Sequence, residues 1–97
     1  MELSPQHIKT IRQFFSGLQV KRAYLFGSYS RNEADEKSDI DIMVELDHTK
    51  PIGMRFFTYG DELQNLLKKK VDIVSYEGIS EYVKPYIDKE KVLIYER

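Results

Sequence analysis

The chain has 97 residues, with 15 Lys plus Arg against 16 Asp plus Glu and a formal net charge of −1. A chain this short buries roughly 60–68% of its unfolded surface, enough for one core and marginal for two, so a single domain over residues 1–97 is expected. The charge balance excludes sequence-blind binding to nucleic acid by bulk positive charge, and the lack of cysteine excludes disulfides, thiolate nucleophiles and cysteine metal sites.

Ser4-Pro5 reads as a helix start, a hydroxyl for the N-cap followed by proline where its missing N–H costs nothing. Ile8, Ile11, Phe14, Phe15 and Leu18 follow at helical spacing, with Gly17 as a stop. Residues 20–26 suit a strand that ends at Gly27-Ser28, and the polar stretch 29–37 reads as a loop with at most a short helix. Residues 40–46 form a second strand with clean alternation: Ile40, Ile42, Val44 and Leu46 on one face, Asp39, Asp41, Met43 and Glu45 on the other. A loop at 47–53 carries Pro51. Residues 54–70 read as an amphipathic helix despite Gly60, its basic end Lys68-Lys69-Lys70 suiting the negative pole of the helix dipole. A short strand at 71–75, a helix over 79–87 interrupted near Pro85, and a last strand at 92–95 complete a mixed α/β order. No apolar run approaches the roughly 18 residues that cross a membrane. The start Met1-Glu2-Leu3-Ser4-Pro5 lacks the basic and apolar stretches of a signal peptide, so a cytoplasmic setting is expected.

The pattern that carries chemistry is Asp39-Ile40-Asp41. Residues two apart on a strand share a face, so the two carboxylates stand side by side with Cα atoms roughly 6.5–7 Å apart. Like charges so placed repel, and a divalent cation resolves the repulsion. Hard Mg²⁺ takes oxygen ligands from one or two carboxylates plus phosphate, and a pair of such ions suits nucleotidyl transfer. Asp72 interrupts the apolar run Val71-Asp72-Ile73-Val74 and is costly there unless paired, hydrogen-bonded or metal-bound. It is a candidate metal ligand, a candidate general base, or both; the plainer reading is an exposed Asp paired with Lys70. Glu45, about 13 Å further along the strand, is too far to join the same metal. Upstream, Gly27-Ser28 offers close backbone approach and a hydroxyl to a phosphate. Arg31 brings a positive charge to the same anion or pairs with Glu33, Asp35 or Glu36, and Ser38 either caps the turn or adds a hydroxyl to the site. His7 and His48 stand alone and read as surface residues. Phe56, Phe57 and Tyr59 read as core or interface, and Tyr76, Tyr82, Tyr86 and Tyr95 mostly as packing, with any exposed tyrosine a candidate for self-modification.

Leu25-Phe26-Gly27-Ser28-Tyr29-Ser30-Arg31, then Ser38-Asp39-Ile40-Asp41-Ile42-Met43-Val44, then Val71-Asp72-Ile73-Val74, resembles the minimal nucleotidyltransferases of the DNA polymerase β-like superfamily. The resemblance spans nearly the whole chain and implies a small mixed sheet flanked by helices. It implies Asp39 and Asp41 as ligands of Mg²⁺, two ions in all, and Asp72 as the third catalytic carboxylate and a further metal ligand. Gly27 and Ser28 would hold the triphosphate, with Arg31 and Ser38 beside them. Two positions depart from the family pattern Gly-Ser-x-Ala-Arg-Gly: Ser30 stands for alanine, and Asn32 for glycine, where asparagine tolerates a left-handed backbone. The minimal family is commonly paired with helical HEPN proteins, toxins with RNase activity. The resemblance therefore implies an antitoxin of a type VII-like toxin–antitoxin pair, in a homo- or hetero-oligomer, that moves AMP from ATP to a tyrosine hydroxyl of its HEPN partner. The alternatives are an antitoxin that acts by occlusion alone and a nucleotidyltransferase acting on a small molecule.

Overall fold

The computed structural model describes residues 3–35, 37–49 and 51–97. Of the positions singled out above, Glu36, named as a partner for Arg31, lies outside the described residues. So do Met1 and Glu2 at the start of the chain, and Lys50 in the 47–53 loop.

Helix α1 (Pro5–Ser16) starts on the Ser4 N-cap, whose hydroxyl accepts from the His7 amide at 3.1 Å, and ends on Gly17. Strands β1 (Val20–Phe26), β2 (Ile40–Leu46), β3 (Val71–Ser75) and β4 (Val92–Glu96) form one sheet in the order β3-β2-β1-β4. β1 runs antiparallel to both β2 and β4, while β2 and β3 are parallel. Parallel neighbours need a crossover, and the segment holding α2 (Tyr59–Leu67) supplies it.

Two elements differ from the sequence reading. The helix expected over 54–70 is a 3-10 turn at Met54–Thr58 followed by α2, which stops at Lys68 in a left-handed conformation (φ 59°). The Lys68 amide closes the helix on the Gln64 carbonyl at 2.8 Å, so the three lysines lie past the last turn and lead into β3. The helix expected to bend near Pro85 instead begins there: α3 (Lys84–Glu90) takes the proline in its first turn, where a missing N–H breaks no bond.

The alternation read in β2 sorts the sheet into two faces. Ala23, Leu25, Ile40, Ile42, Val44, Leu46, Val71 and Ile94 join Ile11 and Phe15 of α1 and Tyr59, Leu63 and Leu67 of α2 in one buried cluster. On the other face the register sets Phe26, Asp41 and Asp72 in one row, Tyr24, Met43 and Val74 in the next, and Arg22 beside Glu45 beyond. That face is not simply wet. Met43 is completely buried, so an apolar row separates the Asp41 row from the Arg22–Glu45 pair at 2.9 Å.

Candidate active site

The site is built where β1 gives way to its turn, beside the first residues of β2. Phe26 is extended, Gly27 adopts φ 75°, and a 3-10 turn covers Gly27–Tyr29. The Gly27 carbonyl gathers the turn by accepting from the Ser30 amide (3.1 Å), the Arg31 amide (3.3 Å) and the Ser30 hydroxyl (2.8 Å). Serine in place of alanine thus adds a bond to the turn. Asn32 takes the left-handed conformation expected of it (φ 57°), and the Glu33 amide closes the loop on the Ser28 carbonyl at 2.9 Å. Tyr29 and Ala34 are buried in the core cluster and pin the loop to the sheet.

Gly27 is required here twice over. Its positive φ favours glycine, and a Cβ built on it would collide with Oδ2 of Asp41. The glycine turn and the acidic strand are therefore in contact, which unites the two motifs that the sequence separates by more than ten positions.

Asp41 and Asp72 are register partners across β2 and β3, on strands about 4.8 Å apart. Asp39 lies just before β2. The three are electrostatically joined: Asp41 is half-buried, and burial first, then Asp72, then Asp39 raise its pKa above the usual carboxylate value, with Arg31 pulling the other way. Asp72 is exposed, so the desolvation cost argued for it from the sequence does not arise. Lys70 approaches Asp39 at 3.7 Å, not Asp72 as the plainer reading had it. Both of those groups are open to solvent, and such a pair contributes little.

Among the described residues no three Asp, Glu, His or Cys side chains already converge as a metal-binding group. The donors nonetheless suit magnesium. They are hard carboxylate oxygens, their mutual repulsion falls on the half-buried Asp41, and the glycine beside them leaves room that any side chain would fill.

The remaining candidates are placed less directly. The Ser38 hydroxyl belongs to its own turn: it accepts from the Asp35 amide at 3.0 Å and donates to Oδ1 of Asp35 at 3.2 Å. Arg31 pairs with Glu33 (3.1 Å), as one sequence alternative had it, and with Glu90 (2.7 Å), which the sequence did not suggest. Glu90 also accepts from the Gly27 amide at 3.1 Å. Nothing local marks this residue, because its contacts cross 59 and 63 positions of chain. Glu45, set aside on distance, is held by Arg22 and by the Tyr24 hydroxyl at 3.2 Å. His48 meets Glu77 on the surface. Phe57 is exposed, while Phe56 packs against the core and Tyr59 is part of it. A recess of about 520 Å³ between α1 and β4, lined by residues such as Arg12, Gln13, Leu93 and Ile94, includes none of the site residues.

Comparison with known proteins bears on the family and the fold. Residues 9–97 match the family model described as Polymerase beta, Nucleotidyltransferase. MJ0128 of Methanocaldococcus jannaschii, provisionally named a protein adenylyltransferase, is 45% identical over 92 residues, covering 93% of this chain and 87% of its own. Protein adenylyltransferase MntA of Thermococcus cleftensis is 32% identical over 88 residues, covering 91% and 85%. In the solved complex of a tri-AMPylated Shewanella oneidensis HEPN toxin with an MNT antitoxin, one chain superposes with a TM-score of 0.72 at 21% identity, covering 95% of this chain and 71% of that one, a likeness of fold. Among the described residues no helix is long and apolar enough to cross a membrane. The chain belongs to the polymerase beta nucleotidyltransferase family and is a nucleotidyltransferase with minimal-nucleotidyltransferase architecture.

Proposed function

We propose that the chain transfers AMP from ATP to a hydroxyl of a HEPN-type toxin, a tyrosine by preference, and is the antitoxin of that pair. The observation that carries the chemistry is the glycine turn at Gly27 set against Asp41, whose register partner is Asp72. Support for the acceptor comes from relatives named protein adenylyltransferases and from the AMPylated HEPN toxin held by a protein of this fold.

Asp39 and Asp41 would hold magnesium, with Asp72 as a further ligand. When bound, magnesium supplies the positive charge that lets carboxylates and a triphosphate share one site, and it polarises the phosphoryl oxygens. Gly27 lets the backbone lie against the phosphates, and the Ser28 hydroxyl donates to an outer phosphate oxygen. Asp72 is open to solvent on the edge strand β3, where an incoming hydroxyl can reach it, and it takes that hydroxyl's proton. The acceptor oxygen then forms its bond to the α-phosphorus as the bond from that phosphorus to the bridging oxygen breaks, and pyrophosphate leaves.

The test is transfer of label from [α-³²P]ATP to a co-purifying HEPN protein with Mg²⁺, beside an Asp39→Ala, Asp41→Ala double variant. The reading expects label on the partner with the native chain only, together with loss of neutralisation by the variant. Neutralisation that survives in the variant, with no label on the partner, would establish occlusion instead. Label that appears only on an added small-molecule alcohol would move the acceptor to that class.

A further inference from the structure

We propose that Glu90 is a positioning residue for the nucleotide site: from the last turn of α3 its carboxylate grips the Gly27 amide and the Arg31 guanidinium together, fixing the phosphate-facing turn and holding Arg31 off the aspartates. The inference rests on the nucleotide site proposed above and deepens it.

Its two oxygens divide the task, Oε1 accepting from the Gly27 N–H at 3.1 Å and Oε2 from Nη1 of Arg31 at 2.7 Å. Both are charge-assisted, the stronger class of hydrogen bond. Gly27 is thereby held from two directions. Its Cα side faces Asp41, while its N–H faces Glu90. Glu90 thus meets the turn at a different atom from the one that abuts the site aspartate, and its own charge is also felt at Asp41.

The position is an unfavourable one for a carboxylate without such partners. Glu90 is the final residue of α3, where the helix presents its negative pole and favours a cation. An anion there is stabilised by what it reaches across the fold, namely the glycine amide and the arginine. Arg31 in turn has Glu33 on its Nε at 3.1 Å and Glu90 on its Nη1, and its charge is still felt at Asp41. Without Glu90, the guanidinium keeps, among the described residues, only the exposed Glu33 and becomes free to swing onto the carboxylates that magnesium needs. Its charge would then compete with the metal.

The opposite role is also testable. A carboxylate on the glycine amide and arginine occupies groups that could themselves bind phosphate, and a competitor of that kind would lower nucleotide affinity in the native chain. The sign of one measurement separates the two. The full-length chain and its Glu90→Ala, Glu90→Gln and Glu33→Ala variants are titrated with Mg²⁺ and AMP-PNP by calorimetry, and amide hydrogen exchange is followed over the Gly27–Tyr29 turn. Positioning expects Glu90→Ala to weaken AMP-PNP about tenfold and to speed exchange of the Gly27 amide by at least that factor. Glu90→Gln keeps an acceptor for the Gly27 amide without its charge, and falls between. Glu33→Ala leaves the Gly27 amide protected. Tighter AMP-PNP binding in Glu90→Ala overturns the proposal, as does native affinity in both Glu90 variants. If Glu90→Ala does not fold, the isosteric Glu90→Gln carries the same comparison. A native chain that fails to bind AMP-PNP, with the Gly27 amide still released in Glu90→Ala, counts against the nucleotide site and for Glu90's hold on the turn.

Discussion

Asp41 and Asp47 mark the two ends of β2, and the fold treats them oppositely. Asp47, one residue past the strand, accepts from Arg97 at 2.6 Å, from the Thr49 hydroxyl at 2.7 Å and from the Thr49 amide at 3.0 Å. Arg97 first, then Thr49, hold its pKa well below the usual carboxylate range. Asp41 is also half-buried, yet among the described residues no side chain donates to its carboxylate, and burial first, then Asp72, Asp39 and Glu90 push its pKa up against the pull of Arg31. One strand thus carries a carboxylate the protein satisfies for its own stability and one it leaves unsatisfied. Residue type is shared and both mark ends of the same strand, so the difference lies in what each end of the strand meets. A carboxylate half-buried beside like charges and without donors costs stability, a cost that a bound cation would relieve.

The largest test of that contrast is Asp41→Asn. Removing one carboxylate from the cluster should lower the rate of AMP transfer about a thousandfold, the scale of several kcal/mol of transition-state stabilisation. The melting temperature without metal should hold or rise, because the substitution relieves repulsion with Asp72 and Asp39. Asp47→Asn should do the reverse, keeping the rate per folded molecule and lowering the melt. Initial rates with labelled ATP, set beside thermal melts of both variants, check the pair. Loss of stability in Asp41→Asn without loss of rate would make its carboxylate an ordinary structural group.

Much of this contrast was legible in the sequence, and the part that was not shares a cause. The strands β1, β2 and β3 coincide with their predicted ranges because strand-forming composition and, in β2, period-two alternation are local signals, and Asp41 was placed on its face of the sheet by counting. The left-handed Asn32 was legible because the family pattern has glycine at that position and asparagine tolerates the conformation. The arrest of α2 at Lys68 was not, since α2 must hand the chain to β3 within three residues, and that demand comes from the sheet. Met43 reads as a residue on a polar face, yet it is fully buried, which alternation alone does not reveal. Arg97 on Asp47 and Glu90 on Gly27 span 50 and 63 positions, and no local pattern couples them. The sequence displays the unsatisfied carboxylates, because their motif is local, and hides the satisfied ones, because their partners are distant.

A middle-sized effect separates the two glycines held at positive φ. Gly27 (φ 75°) and Gly53 (φ 68°) share the conformation, so alanine at either costs about 1–2 kcal/mol of backbone strain. A Cβ at Gly53 would meet nothing within 4 Å among the described residues, whereas a Cβ at Gly27 meets the Asp41 carboxylate. Gly53→Ala should therefore lower the melt and leave transfer intact. Gly27→Ala should lower the melt similarly and also displace Asp41, a misplacement that costs about a hundredfold in rate. Equal rates in the two variants would show that the contact between turn and strand has no part in the chemistry.

The smallest effect concerns Arg97 and is read in its pH dependence. A depressed carboxylate pKa contributes stability that is fully present above the unfolded value, near 3.9, and is lost as pH falls through the folded value beneath it. Arg97→Ala removes the largest cause of that depression and leaves Thr49 in place. The variant should melt a few degrees below the native chain at pH 7, and the gap should narrow steadily once the pH drops below about 4, where Asp47 of the unfolded chain takes up a proton that the native carboxylate does not. Arg97 also donates to the Leu18 carbonyl at 3.3 Å, a contact that does not titrate. A gap that stays constant from pH 7 to pH 2 would assign Arg97's contribution to that carbonyl. A gap that closes assigns it to Asp47, and so to the satisfied end of β2.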